Sequence, residues 1–518
     1  MNHKIKDNLF ATAITATVIA LVIVLNVVLY YLSAINGWYV GYTEELDLSL
    51  SGSTEELFAE AKEDGRRVEI IFCMSKEELA VNTTGKDVLA TATALEERHP
   101  DFIKLRFFNI KTLLDEDGNS VKSRFEKYKT DMRGKETALH AGAVIFSSTV
   151  TDGAGFSRED YVVLNNQLSG VPYVDFYHVD GEGYITAYVG EEVMASMVLW
   201  TLNTEHKTAY FTTGHGETVD IAFTNMLQRA GYYISEVDLL RNDKNQDGVP
   251  DYNLAEAGVV VISNPTADFL KSDDVMKGKE IETLSSYVNN YGGSVYVSLD
   301  PYAAPLKNLE EFLSGYGITV ATGVDSDGRT VRNIIRESSN ALPGEGGYTF
   351  VANYADNDIG AALAEKTDKY VSDQVVVKNV GALTLTKDAK PVLVTSNTAS
   401  VYAGGESVGS TGEYCVGALA TKEGVGGTGK VFVTSGIYLT ASEAVISDLY
   451  ANRNFTYALF ETVFGASTAP YGCKTVPYST DRLDVTMGTA RLYTLLVMSI
   501  PVILTVVGVV ISKRRKNR

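Results

Sequence analysis

TAYFTTGHGETVDIAFTNMLQRA, residues 208–230, is the stretch on which the reading of this chain turns. A short run rich in aromatic and β-branched residues, 208–213, stops at Gly214-His215-Gly216-Glu217 and passes into 219–230, a helical stretch. The same sentence is then repeated downstream. Residues 233–239 and 258–263 (GVVVIS) read as strands, 278–291 as a helix stopped by Gly292-Gly293, and 294–299 (SVYVSL) as a strand closing at Asp300-Pro301. Strands that alternate with helices predict an α/β domain with a mostly parallel sheet. Regular pattern returns at 391–395, 429–435 and a helix over 454–464, which complete that domain at 206–470. The Gly-, Asn- and Asp-rich stretch at about 320–390 is expected as an insertion or small β-rich lobe.

Working towards the N-terminus, Ser53-Thr54-Glu55-Glu56 has the form of a capping box opening a helix over 55–62. Strands are expected at 67–72 (RVEIIF), 103–109 and 143–147, with a helix at 87–98 between the first two. This order resembles a thioredoxin-like α/β layer, over 46–205. Its redox chemistry is missing, since Cys73 stands alone at the end of the first strand where a dithiol needs two cysteines. Cys73 reads as a buried small hydrophobe, and the region as a scaffold.

The chain has 518 residues, 45% apolar and 21% charged, which is globular composition and more than one domain's length. Its net charge of −20 excludes the basic face that a nucleic-acid binder needs. Three cysteines, Cys73, Cys415 and Cys473, have neither the number for a disulfide scaffold nor the spacing of a zinc site.

Charge is unevenly placed, and its gaps predict topology. Residues 10–32 (FATAITATVIALVIVLNVVLYYL) are uncharged and long enough to cross a hydrocarbon core of about 30 Å. Residues 492–512 (LYTLLVMSIPVILTVVGVVIS) form a second such run, followed at 513–518 by a tail rich in Lys and Arg. The first run exceeds the apolar region of a cleaved signal peptide, so an uncleaved anchor is expected. With Lys4 and Lys6 in the segment 1–9 and the basic tail at the other end, both termini are expected in the cytoplasm of a two-span plasma-membrane protein. The part between the spans, more acidic than the chain as a whole, then lies outside.

Three segments carry candidate chemistry. Gly214, His215, Gly216 and Glu217 lie at the carboxyl end of a strand, where open α/β sheets place ligands near helix N-termini. They make either a ligand site, with His215 as a base oriented by Glu217 in a hydrolase or amidotransferase-like enzyme, or a tight structural turn. No GxSxG elbow or cysteine supplies a nucleophile for the enzyme reading. Asp243, Asn245, Asp247 and Asp251 have the spacing of a calcium loop, which would suit a calcium-dependent structural or adhesion protein. The bidentate acid is missing, however, because position twelve is Leu254, and a polar turn is the other reading. Apart from that possible calcium no cofactor is expected. Gly424 to Lys430 imitates a phosphate loop, but Val431 replaces the magnesium-binding hydroxyl and the glycines lead into a strand.

Taken in order, several weak motifs form a pattern. After the first apolar run come Leu48-Ser49-Leu50-Ser51 with Thr54, then Gly214 to Glu217, VVVISNP at 259–265, Gly292-Gly293 with Tyr296 and Asp300-Pro301, Asn452-Arg453-Asn454-Phe455, and a proline-containing apolar run with a basic tail. Nearly the whole chain resembles the GldG-type auxiliary proteins of ABC transport systems. The resemblance implies a bacterial membrane component without ATPase activity. It would work beside an ABC permease and a separate ABC ATPase, and its outer domain would bind substrate or brace the complex. It also implies a second domain similar to glutamine amidotransferase-like folds without the catalytic cysteine. The chain departs from the pattern in its longer loop at 242–253 and across 320–390.

Overall fold

Val68–Phe72 (β1) and Ile103–Phe107 (β2) pair in parallel, with Val68 opposite Ile103, and the helix Gly85–Arg98 connects them. That helix buries Val88, Ala92 and Leu95, the spacing that puts one apolar stripe against a sheet. Val144–Thr151 (β3) joins β1 antiparallel and Ser157–Leu164 (β4) follows on its outer side, giving the order β2-β1-β3-β4. A hairpin, Tyr177–Val179 (β5) with Ile185–Tyr188 (β6), leads to the helix Gly190–Leu202, of which every residue except Leu199 is buried.

The computed structural model describes residues 48–478 except 64–65, 133–135, 152–156, 169, 180–182, 204, 242–251, 273–278, 369–373 and 448. Residues up to Val476 form one unit, and nearly all of a second, 477–518, lies outside the described residues. The expected spans at 10–32 and 492–512 also lie outside them. Among the described residues no helix is long and apolar enough to cross a membrane.

The fold is mixed α/β with an extended parallel region. Thr208–Thr212 (β7), Tyr233–Val237 (β8), Ala257–Ser263 (β9) and Ser294–Ser298 (β10) stand in the order β8-β7-β9-β10, and Gly427–Thr434 pairs with β10. All these neighbours are parallel. Val259 to Ile262 are fully buried, as a continuous apolar run must be when helices cover both faces of a sheet. The helix Glu280–Tyr291 ends on Gly292 at φ +67°, where a Cβ would come within 2.9 Å of the Gly427 backbone.

Beyond Gly427–Thr434 the sheet turns antiparallel through Cys415–Gly424, Lys390–Val394, Thr349–Tyr354 and Val375–Lys378. The stretch 320–390 therefore contributes strands to the main sheet as well as small separate ones, such as Thr322–Val324 with Thr330–Arg332. The glycines at 424–430 form the turn and first residues of the antiparallel hairpin, and Lys430 Nζ donates to the carbonyl of Val463.

One helix ties these parts together. The Glu191 carboxylate accepts from Ser51 N at 2.8 Å and Ser51 Oγ at 2.7 Å, and from Lys474 N at 3.1 Å. The helix Ser53–Glu63 starts earlier than the capping box implied, and Ser53 is not its cap: Ser53 N donates to Ser51 Oγ, while Ser53 Oγ donates to Gly472 O at 3.0 Å. Glu192, with no exposed surface, meets Arg229 Nη1 at 2.9 Å, Tyr457 Oη at 2.5 Å and Arg453 Nη1 at 3.6 Å. Burial raises the pKa of the Glu192 carboxyl, but the two guanidinium groups hold it below its ordinary value. Replacing Arg229 by Met leaves a buried carboxylate with the Tyr457 hydroxyl and, as its cation, the more distant Arg453. This should cost about 3–5 kcal/mol, against about 1 kcal/mol or less for Lys62→Met, which breaks the more exposed pair with Glu55. Urea unfolding of the two variants measures the difference, and equal midpoints would show that the Glu192 contacts do not tie their helices together.

Candidate functional site

In the order β8-β7-β9-β10 the chain leaves β7 towards one side of the sheet and returns through β9 on the other. The crevice at the carboxyl ends of β7 and β9 is thus a topological switch point, the usual ligand position in such sheets. Gly214 to Glu217 lie there, as the sequence placed them.

The turn is built on two left-handed glycines, Gly214 at φ +110° and Gly216 at φ +70°. A Cβ on Gly216 would lie 2.2 Å from Thr266 Oγ1, so the turn is closed against the loop after β9. Thr266 N and Ala267 N both donate to His215 O, at 2.9 and 2.8 Å. The helix that follows, Ile221–Arg229, is capped by its own Asp220, which accepts from Ala222 N at 2.9 Å, and so does not offer its N-terminus to this turn.

His215 is 6% exposed and both its ring nitrogens are taken. Nδ1 lies 3.0 Å from Glu217 Oε1 and Nε2 lies 3.0 Å from Glu280 Oε2, while Phe269 stacks on the ring at 3.8 Å. Glu217 also accepts from His215 N at 2.8 Å, and Glu280 from Leu270 N at 2.8 Å. Burial alone would lower the imidazole pKa, but hydrogen bonds and charge from the two carboxylates outweigh it and raise it to about 9. Burial pushes Glu217 up, and the bond from His215, together with backbone amides and Thr212, more than reverses that. At neutral pH His215 is an imidazolium donating from both nitrogens. It has no lone pair to act as a base, and the arrangement clamps two loops and a helix.

Glu280 is the member that sequence reading missed. It opens the helix Glu280–Tyr291, far along the chain from His215, and its one signal was an acidic residue at an expected helix start. Glu191, Glu192 and Arg229 were missed as well, and Arg453 was read only as part of the Asn452 to Phe455 motif, although acids and arginines inside largely apolar segments are a readable sign of buried pairing. The calcium-loop residues Asp243, Asn245, Asp247 and Asp251 lie outside the described residues. Among the described residues no group of three or more His, Cys, Asp or Glu is placed to hold a metal ion. Cys73 is fully buried, and burial pushes its thiol up to about 12, so it packs as an apolar residue.

No protein-family model and no curated protein matches the chain. Among solved structures it is similar to the mmIFT52 N-terminal domain, with 14% identity over 49% of this chain and 96% of that one and a TM-score of 0.35. It is also similar to PurLQS from Thermotoga maritima, with 13% identity, coverage of 49% and 99%, and a TM-score of 0.28. A glutamine amidotransferase from Thermotoga maritima matches with 11% identity, coverage of 51% and 96%, and a TM-score of 0.25. At these TM-scores the likenesses add nothing to the topology described above.

A histidine whose pKa is raised on folding stabilises the protein fully below its unfolded pKa, near 6.5, and loses that contribution as pH rises through its folded value of about 9. Glu217, with its pKa lowered, contributes above its unfolded value of 4.5 and loses the contribution as pH falls through its folded one. The contributions of His215 and Glu217 are therefore both fully present between about pH 4.5 and 6.5. Denaturant melts of the parent protein should show a decline in stability between pH 6.5 and 9, and His215→Asn should flatten it. A decline of equal slope in both proteins would place the titrating group elsewhere.

Proposed function

We propose that this chain is a membrane-anchored auxiliary subunit of an ABC-type transport system, with a non-catalytic, ligand-binding or bracing domain outside the cytoplasm. The observation that carries the reading is the junction at Glu191. Ser51 follows the first apolar run and Lys474 precedes the second, and one carboxylate holds both backbones. Two chain ends fixed side by side are what a domain needs if both flanking runs enter one bilayer from the same face. The basic residues beyond each run support a cytoplasmic position for both termini.

The sheet orders fit the finer reading of the two domains. The order β2-β1-β3-β4, with β1 and β2 parallel and β3 reversed, suits a thioredoxin-like layer that lacks its dithiol. The order β8-β7-β9-β10 suits an amidotransferase-like doubly wound layer. The doubly bonded imidazolium at His215 argues against a hydrolase or amidotransferase activity at the switch point, and the pinned Lys430 argues against ATP binding. Energy for transport would then come from a separate ATPase, and passage through a separate permease.

Gentle detergent extraction of the tagged full chain, followed by mass spectrometry, tests the proposal. A multi-span permease and a Walker-type ATPase should be retained in fixed ratio, and reporters fused at either terminus should both register the cytoplasm. Recovery of the chain alone, under conditions that keep other ABC complexes whole, overturns the transport reading. Opposite reporter signals overturn the topology.

A further inference from the structure

The outer strand of the first sheet, β4, and the outer strand of the second, β8, border a common groove of about 480 Å³. Residues 161–166 line it consecutively, as do 232–234. Side chains alternate along a strand, so consecutive residues line one cavity only when the strand's edge faces it. A second chamber of about 320 Å³ shares Met132, Tyr161, Trp200 and Tyr233 with the groove and adds Arg158, Asp160 and His206.

Asp160 is the unusual member. It is 5% exposed, and among the described residues its Oδ2 is buried without a hydrogen-bond partner. Its Oδ1 accepts from Arg158 Nε at 2.6 Å, from a side chain that is itself 60% exposed. A buried carboxylate oxygen left unpaired is unfavourable, and one contact from an exposed arginine leaves half of a bidentate site unused. The neighbouring wall is aromatic and fixed: Trp200 stacks on His206 at 3.9 Å, and Tyr233 stands edge-on to Trp200 at 5.2 Å. A carboxylate with open valence beside aromatic rings is the chemistry that recognises organic cations. The chain's own guanidinium already stands in for one.

We infer that this chamber binds an organic cation, a guanidinium or primary ammonium on a small body, which replaces the Arg158 guanidinium against Asp160. The inference rests on the reading of the outer domain as ligand-binding, and it gives that reading a substrate class. The displaced Arg158 swings to solvent, and the body of the ligand extends into the larger groove.

The test uses the full chain in detergent. Only two tryptophans are present, so Trp38→Phe leaves Trp200 as the sole fluorescence reporter, on the chamber wall. Butylguanidinium should change its emission saturably, whereas the uncharged isostere butylurea should not. Arg158→Ala removes the internal competitor and should tighten butylguanidinium binding by about threefold or more. Asp160→Asn removes the charge-assisted bonds and should weaken it by about tenfold or more. If Asp160→Asn fails to fold, the exposed Arg158 decides the matter through its own variant. Equal response to butylurea, unchanged binding in Arg158→Ala, or no response in either protein at about 10 mM, well above ordinary ligand affinities, overturns the site. Cation binding without a co-purifying permease would overturn the transport reading alone, and a permease without cation binding would overturn this site alone.

Discussion

Two adjacent acids at the first turn of Gly190–Leu202 determine how the described chain is held together. Neighbouring residues on a helix point about 100° apart, so Glu191 and Glu192 serve different directions. Glu191 collects the backbone at Ser51 and Lys474, near the two ends of the described residues, and Glu192 collects Arg229, Arg453 and Tyr457 from later in the chain. Both acids stand where the helix N-terminus favours negative charge. A buried carboxylate is tolerable only when its partners come with it. The packing of the helix Gly190–Leu202 against Ile221–Arg229 and Asn452–Leu459 is therefore constrained by a charge that would be costly to leave alone, over and above apolar area.

The same requirement explains why the switch point is not an obvious active site. An α/β sheet of this order leaves a crevice between the carboxyl ends of β7 and β9, and backbone groups there need partners. In this chain the loops satisfy one another: His215 O takes two amide donors, and the His215 ring bridges Glu217 and Glu280 beneath Phe269. His215 lies buried in that crevice, and the groove of about 480 Å³ lies instead along β4 and β8, each outermost in its sheet among the described residues.

Local patterns were legible where one residue type at one spacing had one physical meaning. The unbroken apolar run of β9 signalled a strand covered on both faces, and Gly292-Gly293 signalled a helix stop. The turn at Gly214 to Glu217 was legible as a turn at a strand end, but its chemistry was not. The partner that settles it, Glu280, is 65 residues away in sequence, and no local rule reaches that far. The capping box failed for a related reason. Ser51 reaches Ser53 N because Glu191, far along the chain, holds Ser51 in place, and Ser53 is drawn to Gly472. The loop-like composition of 320–390 concealed three strands of the main sheet, Thr349–Tyr354, Val375–Lys378 and Leu383–Leu385, since antiparallel strands at the side of a sheet tolerate polar residues that a central parallel strand does not. Asn452 shows how a weak motif can be explained afterwards. Its amide accepts from Val376 N and donates to Val376 O, at 2.9 and 2.8 Å, and so completes the edge of Val375–Lys378 as another strand would.

The helix Gly190–Leu202 has one further property that follows from its length. Glu191 lies in its first turn and Trp200 in its last, about 13 Å apart along a rod at 1.5 Å per residue. One element thus carries both the tie between the chain ends and part of the wall of the groove. Because it is buried on nearly all sides it cannot bend locally to absorb a displacement, so a shift at Trp200 is passed along the axis or resisted by the whole packing. Proximity through a rod is not a signal by itself: occupancy of the groove changes the chain ends only to the extent that a ligand favours one position of this helix over another. The fold supplies the mechanical connection, and Asp160 and Arg158, on the strand packed beside that helix, supply a place where binding energy could act on it.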